Sequence, residues 1–362
     1  MKFKARSSDL KKAVSDAESV ASRNLTQTIK HSILLEADAG SGLSLTATDL
    51  DNILRVRLEK IEVAESGKTL ISGIKLKGIL AVFGQEDVIE ASCEGNALFL
   101  RGGGFEFHIP TLPTQELPVF DFALSGVSAT FPSRAFQRCV KLVEFARATD
   151  DKRAPLMGVH VEASENYVRF VASDGRRVAC VESPTAASAS SSVLLSHSFI
   201  DGVMRLLPND SELVLSFDGA HAKATAGGYA YKGKVMAEAY PNWRSAVPTC
   251  AKAVMLDREP LLAAFKAAGL IDYKVRMKFH DLACEVSSVS KEGGDARFSF
   301  ALPSPTESLE IIFTDNTIID ALAAMDSSNV EFRFNDGAST ATFKMPGDDR
   351  YFCSVHPMVP AR

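Results

Sequence analysis

Two glycine-containing segments of this chain have the residue types of a phosphate-binding or catalytic loop. Residues 101–105 read RGGGF, and residues 173–177 read SDGRR, with Asp174 before a glycine. A phosphate-binding loop needs a following helix and a lysine, and RGGGF has neither because it lies between two alternating runs. In SDGRR, a D-G turn between two strands accounts for the residues, since glycine accepts a positive φ. We therefore predict two hairpin turns here.

The cysteines and histidines form no metal-binding or nucleophile pattern. The six cysteines stand far apart without a CxxC pair, and no histidine lies at ligand spacing from them. The seven histidines are dispersed, and no set of Ser, His and Asp appears at motif spacing, although residues distant in sequence can still meet in a fold. We predict reduced, mostly buried thiols, no metal, no cofactor and no catalytic site.

Cationic side chains recur with helical periodicity, most clearly in residues 133–148. Apolar residues fall on one side of this segment at i, i+4 and i+7, and basic residues fall on the other side at the same spacing. The two sets are Phe136, Val140 and Val143 against Arg134, Arg138 and Lys141. Such a helix packs through one face. Its charged face has two interpretations, an ordinary solvated surface or a contact for a polyanion.

The elements that carry these charges recur three times along the chain. One unit reads as a short strand, a polar break and an amphipathic helix, and a second reads as a strand, a helix and a hairpin. The first unit begins at Met1, Ala129 and Ala253, and the second at Thr69, Val193 and Ile311. Both recur with a period of roughly 120 residues, which indicates three copies of one domain. The pattern predicts six helices, two in each copy.

Alternating runs separated by Gly, Asp or Asn predict hairpins in each copy. They are NALFLR with FEFHIP, YVRFVA with RRVACVE, and NVEFRF with STATFKM. Each copy therefore reads as an antiparallel sheet plus two helices, in an α+β fold. The segments around 121–128 and 246–253 are polar or contain Gly and Pro, so the predicted domains span 1–125, 126–250 and 251–362.

Composition limits the classes of function. With 362 residues, of which 46% are hydrophobic and 23% charged, each third can bury its own core. The net charge of −5 excludes a diffuse basic coat for DNA or anionic lipid, so nucleic acid would be contacted only by a local arrangement. The apolar runs fall short of the roughly 20 residues of a membrane span, and the N-terminus lacks the apolar stretch of a signal peptide. We expect a cytoplasmic protein.

Five segments of the chain stand in a recognisable order. They are MKFKARSSDLKKAV at the start, LSLTATDLDN (43–52), VASDGRRVA (171–179), YPNWRSAVP (240–248) and VHPM (355–358). Together they resemble the bacterial DNA polymerase III β subunit, the sliding clamp. The resemblance covers all three repeats. It implies the DNA clamp fold, in which two copies join head to tail into a ring around duplex DNA, and a non-enzymatic processivity factor. A closed ring holds DNA by topology, so strong phosphate contacts are not needed and net acidity is compatible with the function.

The resemblance also implies an inner wall of basic residues that guides the DNA without sequence preference. The candidates are Lys11, Lys12, Lys75, Lys77, Arg134, Arg138, Lys141, Arg147 and Arg205, with Arg23 on the loop after the first helix. Lys75 and Lys77 cannot share one helical face, so at most one faces inward. The last repeat's second helix carries Asp315, Asp320 and Asp326 without Lys or Arg. We therefore expect DNA guidance to depend mainly on the second domain.

The resemblance implies a groove between the second and third domains that binds short peptides of the polymerase III catalytic subunit, the clamp loader and other polymerases. The matching residues are Arg153, Leu156, Ser173, Gly175, Arg176, Arg177, Val178, Pro241, Ser245, Ala246, Ser354, His356, Pro357 and Met358. His356 replaces a usual apolar residue, and Ser245 with Ala246 makes the rim smaller than is usual. The tail also continues as VPAR. We predict a more polar groove with a different peptide selectivity.

A ring needs a joint between subunits, and sheet edges offer unpaired backbone groups for it. In FEFHIP, Phe107 and Ile109 lie on one side of the candidate edge strand, and the family's partner patch maps onto Leu270 and Ile271. Their alternative interpretation is ordinary core.

Two other functions stay open at the level of sequence. One is a divergent second clamp that serves a specialised polymerase. The other, from a different class, is a monomeric β-rich scaffold or an enzyme with an interdomain site.

Overall fold

The structure, a computed structural model, describes residues 1–21, 31–113 and 120–358, apart from the side chain of Asp151. These residues form two compact units. The first contains Met1–Arg134 and Ser198–Val235, and the second contains Ala135–His197 and Met236 to the end of the described chain. Arg23 and the VPAR tail lie outside the described residues, so the predictions made for them stay predictions.

The described residues form 23 β-strands. In the first half of the chain they are β1 (Lys2–Arg6), β2 (Ser32–Asp38), β3 (Gly42–Thr48), β4 (Asn52–Leu58), β5 (Glu62–Glu65), β6 (Gly67–Ser72), β7 (Val88–Glu94), β8 (Ala97–Gly102), β9 (Phe105–Pro110), β10 (Val127–Pro132), β11 (Val159–Ala163) and β12 (Val168–Ser173). The remainder are β13 (Arg177–Ser183), β14 (Ser191–Leu195), β15 (Glu212–Phe217), β16 (His221–Ala226), β17 (Tyr229–Lys234), β18 (Lys252–Asp257), β19 (Lys274–Val289), β20 (Asp295–Thr314), β21 (Asn329–Phe334), β22 (Ala341–Met345) and β23 (Asp348–Val355).

Six α-helices occur in the same residues, where the sequence predicts six. They are α1 (Ser7–Val20), α2 (Gly73–Leu80), α3 (Ser133–Glu144), α4 (His197–Leu206), α5 (Arg258–Gly269) and α6 (Asp315–Ala324). Each begins within two residues of the end of a strand, in the order that the two repeating units predict. The helical stripe of α3 is confirmed, since Phe136, Val140 and Val143 are fully buried.

The first unit contains two antiparallel sheets. One has the strand order β5-β1-β7-β8-β9, which leaves β9 at an edge. The other has eight strands in the order β10-β15-β16-β17-β4-β3-β2-β6. At the centre of this larger sheet, β17 pairs with β4, with Tyr231 opposite Leu54. Strands from the first and middle thirds of the sequence thus share one sheet.

The second unit repeats this organisation. Its eight-stranded sheet has the order β14-β11-β12-β13-β23-β22-β21-β18, and its other sheet is the long hairpin β19-β20. At the centre of the larger sheet, β13 pairs with β23, with Cys180 opposite Phe352. Strands from the middle and last thirds of the sequence meet there.

The two segments that have the residue types of phosphate or catalytic loops are turns, as predicted. In RGGGF, Gly103 and Gly104 join β8 to β9 with φ values of 53° and 82°. In SDGRR, Gly175 has a φ of 83° between β12 and β13. The Asp174 carboxylate accepts hydrogen bonds from the backbone N–H groups of Arg176 (2.8 Å) and Arg177 (3.1 Å). The aspartate therefore stabilises the turn.

The thiols follow the predicted pattern. Cys139, Cys180, Cys284 and Cys353 are buried and none of the six forms a disulfide, all of them lying within the described residues. Burial raises the pKa of the Cys180 thiol to about 12. In the described ranges, no three His, Cys, Asp or Glu side chains come together as a metal site. Nor does any described helix combine the length and apolar character needed to cross a membrane.

Candidate functional site

A surface cavity of about 560 Å³ in the second unit brings together most of the predicted groove residues. The β12–β13 turn supplies one wall, a short 3-10 turn (Trp243–Ala246) supplies another, and the end of β23 supplies the third. The predicted residues that line it are Ser173, Gly175, Arg176, Arg177, Val178, Ser245, Ala246, Ser354 and His356. These walls meet because β13 pairs with β23, which places Val178 opposite Ser354.

Two further predicted residues lie beside this cavity. A Cβ atom placed on Gly175 would lie 3.5 Å from Nη1 of Arg153 and 3.9 Å from Cδ1 of Leu156. The Arg153 guanidinium also donates a hydrogen bond to the Asp174 carbonyl oxygen. Arg153 and Leu156 therefore flank the β12–β13 turn.

The remaining three predicted groove residues neither line the cavity nor flank the β12–β13 turn. Pro241 is exposed ahead of the 3-10 turn, and Pro357 is buried. Met358 is bound to β20, since its N–H donates to the carbonyl oxygen of Ile312 at 2.8 Å. The geometry of this cavity gives Pro241, Pro357 and Met358 no part in its wall.

Other lining residues were missed from the sequence. They are Val247, Pro248, Thr249, Asn335, Ser339 and Thr340. The first three directly follow Ala246, so their position in the chain is a signal that would have found them. The other three lie between β21 and β22, and they reach the cavity because β22 is the neighbour of β23. No spacing in the sequence reveals that adjacency.

Glu162 on β11 holds the 3-10 turn that forms one wall. Its Oε1 accepts from Nε1 of Trp243 at 3.0 Å, and its Oε2 accepts from Arg244 at 2.6 Å and from Arg169 at 2.9 Å. Burial raises the pKa of the Glu162 carboxyl, but the bonds from Arg244, Trp243 and Arg169 outweigh this and lower its pKa to about 2. Trp243 itself is buried against Val171, Val178 and Cys180.

Arg177 lines the cavity, but its guanidinium is hydrogen-bonded within the protein. Its guanidinium donates to Asp174 at 3.1 Å, to Asp320 of α6 at 2.9 Å and to the Phe145 carbonyl oxygen at 2.8 Å. Only 10% of its side chain is exposed. Arg177 therefore connects the β12–β13 turn to α6.

In the first unit, most predicted DNA-contacting residues already have partners. Lys77 pairs with Glu18 at 2.7 Å, Arg134 with Asp210 at 2.5 Å, and Arg205 with Asp201 at 4.0 Å. Lys11 donates to the Phe83 carbonyl oxygen, and the Lys12 ammonium lies 5.5 Å from the centre of the Tyr229 ring. Lys75 is exposed, and no carboxylate within the described residues forms an ion pair with it.

In the second unit, the charge of Arg138 is largely neutralised. Its guanidinium donates to Asp326 at 2.6 and 3.1 Å, and it lies 3.7 Å from Asp348. Arg147 donates to the Ala148 carbonyl oxygen at 3.3 Å. Lys141 is exposed, and among the described residues no ion pair is formed with it. The cationic face predicted on α3 is thus weaker than its sequence indicates.

The four predicted joint residues differ in exposure. Phe107 is half-buried on the edge strand β9, with its ring 5.8 Å from that of Phe83. Leu270 is 87% exposed after α5, and Ile271 is half-buried. Ile109 is only 2% exposed, so its prediction as a joint contact is corrected: it packs in the core of its own chain.

Three domain families match the chain in sequence. The N-terminal domain of the DNA polymerase III beta subunit matches residues 1–121, the central domain residues 130–242, and the C-terminal domain residues 244–359. Among curated proteins, the beta sliding clamps of Pseudomonas putida strain KT2440 and Escherichia coli K12 are each 25% identical to it. Each alignment covers 99% of this chain and 100% of the relative.

Solved structures share the fold over the same length. The DNA polymerase III subunit beta of Pseudomonas aeruginosa superimposes with a TM-score of 0.92 at 24% identity, covering 99% of this chain and 100% of that one. The sliding clamp of Bacillus subtilis has a TM-score of 0.92 at 18% identity, covering 100% of both chains. The fold is therefore the DNA clamp fold with three clamp domains, and the chain belongs to the DNA polymerase III beta subunit family.

Proposed function

We propose that this protein is a DNA sliding clamp, a processivity factor that encircles duplex DNA and tethers polymerases to it. The observation that carries this function is the match to all three domains of the family in consecutive order, over residues 1–121, 130–242 and 244–359. The curated relatives that align along their whole length are named beta sliding clamps. The net charge of −5 fits retention by topology, because a ring does not need strong phosphate contacts.

Two copies of the chain join head to tail in this proposal. The edge strand β9 in the first unit supports it, because an edge leaves backbone groups available for a second chain. Phe107 on that strand and the exposed Leu270 are the proposed contacts. The domains proposed for each copy span 1–125, 126–250 and 251–362.

The cavity lined by Ser173, Val178 and His356 is the proposed docking groove for short peptides of partner proteins. Those partners are the polymerase III catalytic subunit, the clamp loader and other polymerases. The protein contributes no catalysis of its own and works in the cytoplasm.

Retention on closed and open DNA tests the proposed function. The protein is loaded onto nicked circular plasmid and onto the same plasmid cut once, and each is passed through a gel-filtration column. A clamp stays with the circle and leaves the linear molecule through its ends. Light scattering on the free protein should give the mass of a dimer. A monomer that never co-elutes with the circle contradicts the proposal and favours the scaffold or enzyme.

A further inference from the structure

Most of the hydroxyl and amide groups that line the groove are already hydrogen-bonded within the protein. Ser173 Oγ donates to the Arg177 carbonyl oxygen at 2.7 Å, and Ser245 Oγ donates to that of Asn242 at 2.7 Å. Ser354 Oγ pairs with Thr342 Oγ1 at 3.0 Å. These polar atoms stabilise the walls and contribute little to binding a partner.

Arg176 and His356 are the exceptions among the nitrogen-bearing side chains that line the cavity. Both are exposed, and both line it. Within the described residues, no carboxylate forms an ion pair with the Arg176 guanidinium. His356 uses only Nδ1, which lies 3.1 Å from Thr340 Oγ1. When that hydroxyl donates, the proton of the neutral ring is on Nε2, which is then a donor for a partner.

The backbones of these two residues are hydrogen-bonded to each other. The N–H of His356 donates to the carbonyl oxygen of Arg176 at 2.8 Å, one step beyond the paired strand residues Arg177 and Val355. Continuing that pairing by one residue sets Arg176 opposite His356, and residues opposite each other in an antiparallel pairing project to the same face. A guanidinium and an imidazole N–H on one face suit a carboxylate, which accepts from both.

The electrostatic surroundings favour the same ligand. No carboxylate is among the described residues that line the cavity. Two carboxylates lie next to it in sequence, and both are occupied: Asp174 bonds to Arg177, and Asp336 accepts from Ser339 at 2.7 and 2.9 Å. The apolar residues of the lining are Val178, Ala246, Val247 and Pro248, which leaves room for leucine-type side chains beside the two donors.

We propose that the groove selects peptides with an acidic side chain, and that Arg176 and His356 together bind its carboxylate. This inference rests on the proposed function, since it names the class of peptide that the docking groove accepts. An acidic residue, rather than only apolar anchors, then determines which partner is held.

Fluorescence anisotropy with the full chain tests the selection. The probes are labelled pentapeptides Gln-Leu-Xaa-Leu-Leu in which Xaa is Glu, Gln or Lys, and a second series in which the variable residue moves to position two or four. In at least one series the Glu peptide should bind about fivefold more tightly than the Gln peptide at low salt, the effect of a partly exposed ion pair. Raising the salt concentration should shrink this preference.

Variants of the two donors give the decisive comparison. Arg176→Gln with His356→Gln should abolish the preference, and Arg176→Glu should reverse it in favour of the Lys peptide. Arg297→Gln, which removes one exposed cation of β20 outside the cavity, should leave the preference unchanged. Because Arg176 and His356 are exposed, unchanged melting curves will show that the variants fold.

Two results would overturn the inference without touching the proposed function. They are equal affinity for the Glu and Gln peptides in both series, and a Glu preference that survives Arg176→Glu, while the protein still stays on circular DNA. Failure to bind any of the peptides by a protein that stays on circles overturns it as well. If the charge preference is found but the protein never remains on a circle, the proposed function alone fails.

Discussion

Glu162 shows how one side chain sets the shape of the groove from outside it. It binds Trp243 and Arg244, which precede the lining residues Ser245 and Ala246. Charge-assisted hydrogen bonds of this kind contribute more than neutral ones because their partners are ionised, and the partial burial of the carboxylate limits screening by solvent. The groove wall therefore depends on the ionisation of a residue on β11.

We expect Glu162→Gln to lower the free energy of unfolding at pH 7 by about 1–2 kcal/mol, after allowing for screening by solvent. The folded pKa of about 2 lies below the ordinary value of 4.5, so the stabilisation is present above pH 4.5 and is lost as the pH falls toward 2. Urea denaturation followed by Trp243 fluorescence at pH 7 and pH 3 measures both effects. The exposed Glu165→Gln is the control. If the difference in the free energy of unfolding between wild type and Glu162→Gln is the same at pH 7 and pH 3, the ionised Glu162 carboxylate is not the source of the stabilisation.

Arg138 gives the second prediction at this scale. Its hydrogen bond to Asp326 raises the pKa of Arg138 and lowers that of the carboxyl, as expected for an ion pair. Asp326→Asn should remove the main ionic partner of the guanidinium, leaving only the longer contact to Asp348, and raise the affinity for linear duplex DNA about two- to fivefold at low salt. Asp295→Asn changes net charge equally at an exposed position. If Asp326→Asn and Asp295→Asn raise the DNA affinity equally in a gel-shift titration, the gain comes from net charge alone and not from the Arg138 guanidinium.

The same pair shows what the sequence can predict at single positions. Helical spacing places Arg134, Arg138 and Lys141 on one face of α3. It does not reveal that Asp326, 188 residues away from Arg138, neutralises that charge. Such a pairing is decided by tertiary packing, so residue type and periodicity overestimate a charged surface.

Among the secondary-structure elements, β9 has the clearest functional consequence. It is an edge strand with Phe105 and Phe107 packed beside Phe83, at ring distances of 6.1 and 5.8 Å from it. Phe105 is 48% exposed, which is unusual for an aromatic side chain that no other chain covers. An apolar edge is suited to pairing with a second copy.

We expect Phe107→Ala combined with Leu270→Ala to raise the dissociation constant of the dimer at least tenfold, because each truncation removes apolar area from the joint. Sedimentation velocity over a range of concentrations measures the change. Leu270 is 87% exposed, so its truncation should cost the folded chain little. Val289→Ala, at a similarly exposed apolar residue, is the control. An unchanged dissociation constant would remove Phe107 and Leu270 from the joint.

Helices and hairpins were predictable at this scale, whereas the order of strands in the sheets was not. Alternation and turn residues identify β8 with β9, β12 with β13, and β21 with β22, because each pair is local in sequence. The contacts of β17 with β4 and of β13 with β23 join distant segments. Ile109 shows the limit of prediction from sequence. Period-two alternation predicts on which side of the strand it lies, but only the tertiary structure shows that Ile109 is buried.

For the whole molecule, the acidic net charge favours retention on DNA by encirclement over electrostatic adhesion to the phosphates, and the two modes differ in their dependence on salt. We expect the fraction of protein retained on circular DNA to change less than about twofold between roughly 50 and 300 mM salt, because no set of phosphate contacts has to persist. Binding to the linear form of the same plasmid should fall steeply over that range. Gel filtration at several salt concentrations measures both. If the bound fraction falls equally on the circular and the linear plasmid as salt increases, the protein is held by phosphate contacts and not by encirclement.

The two eight-stranded sheets have a consequence for any attempt to divide the chain. Residues 126–250 contribute β17 to one sheet and β13 to the other, and each of these strands is hydrogen-bonded on one side to a strand outside that segment. Expressed alone, this segment would have two unpaired strand edges, one on β17 and one on β13, and both would have free backbone donors and acceptors. Such a fragment should self-associate or precipitate. The middle third therefore completes its two sheets only with strands from both neighbouring thirds of the chain, and it should not fold as an independent fragment.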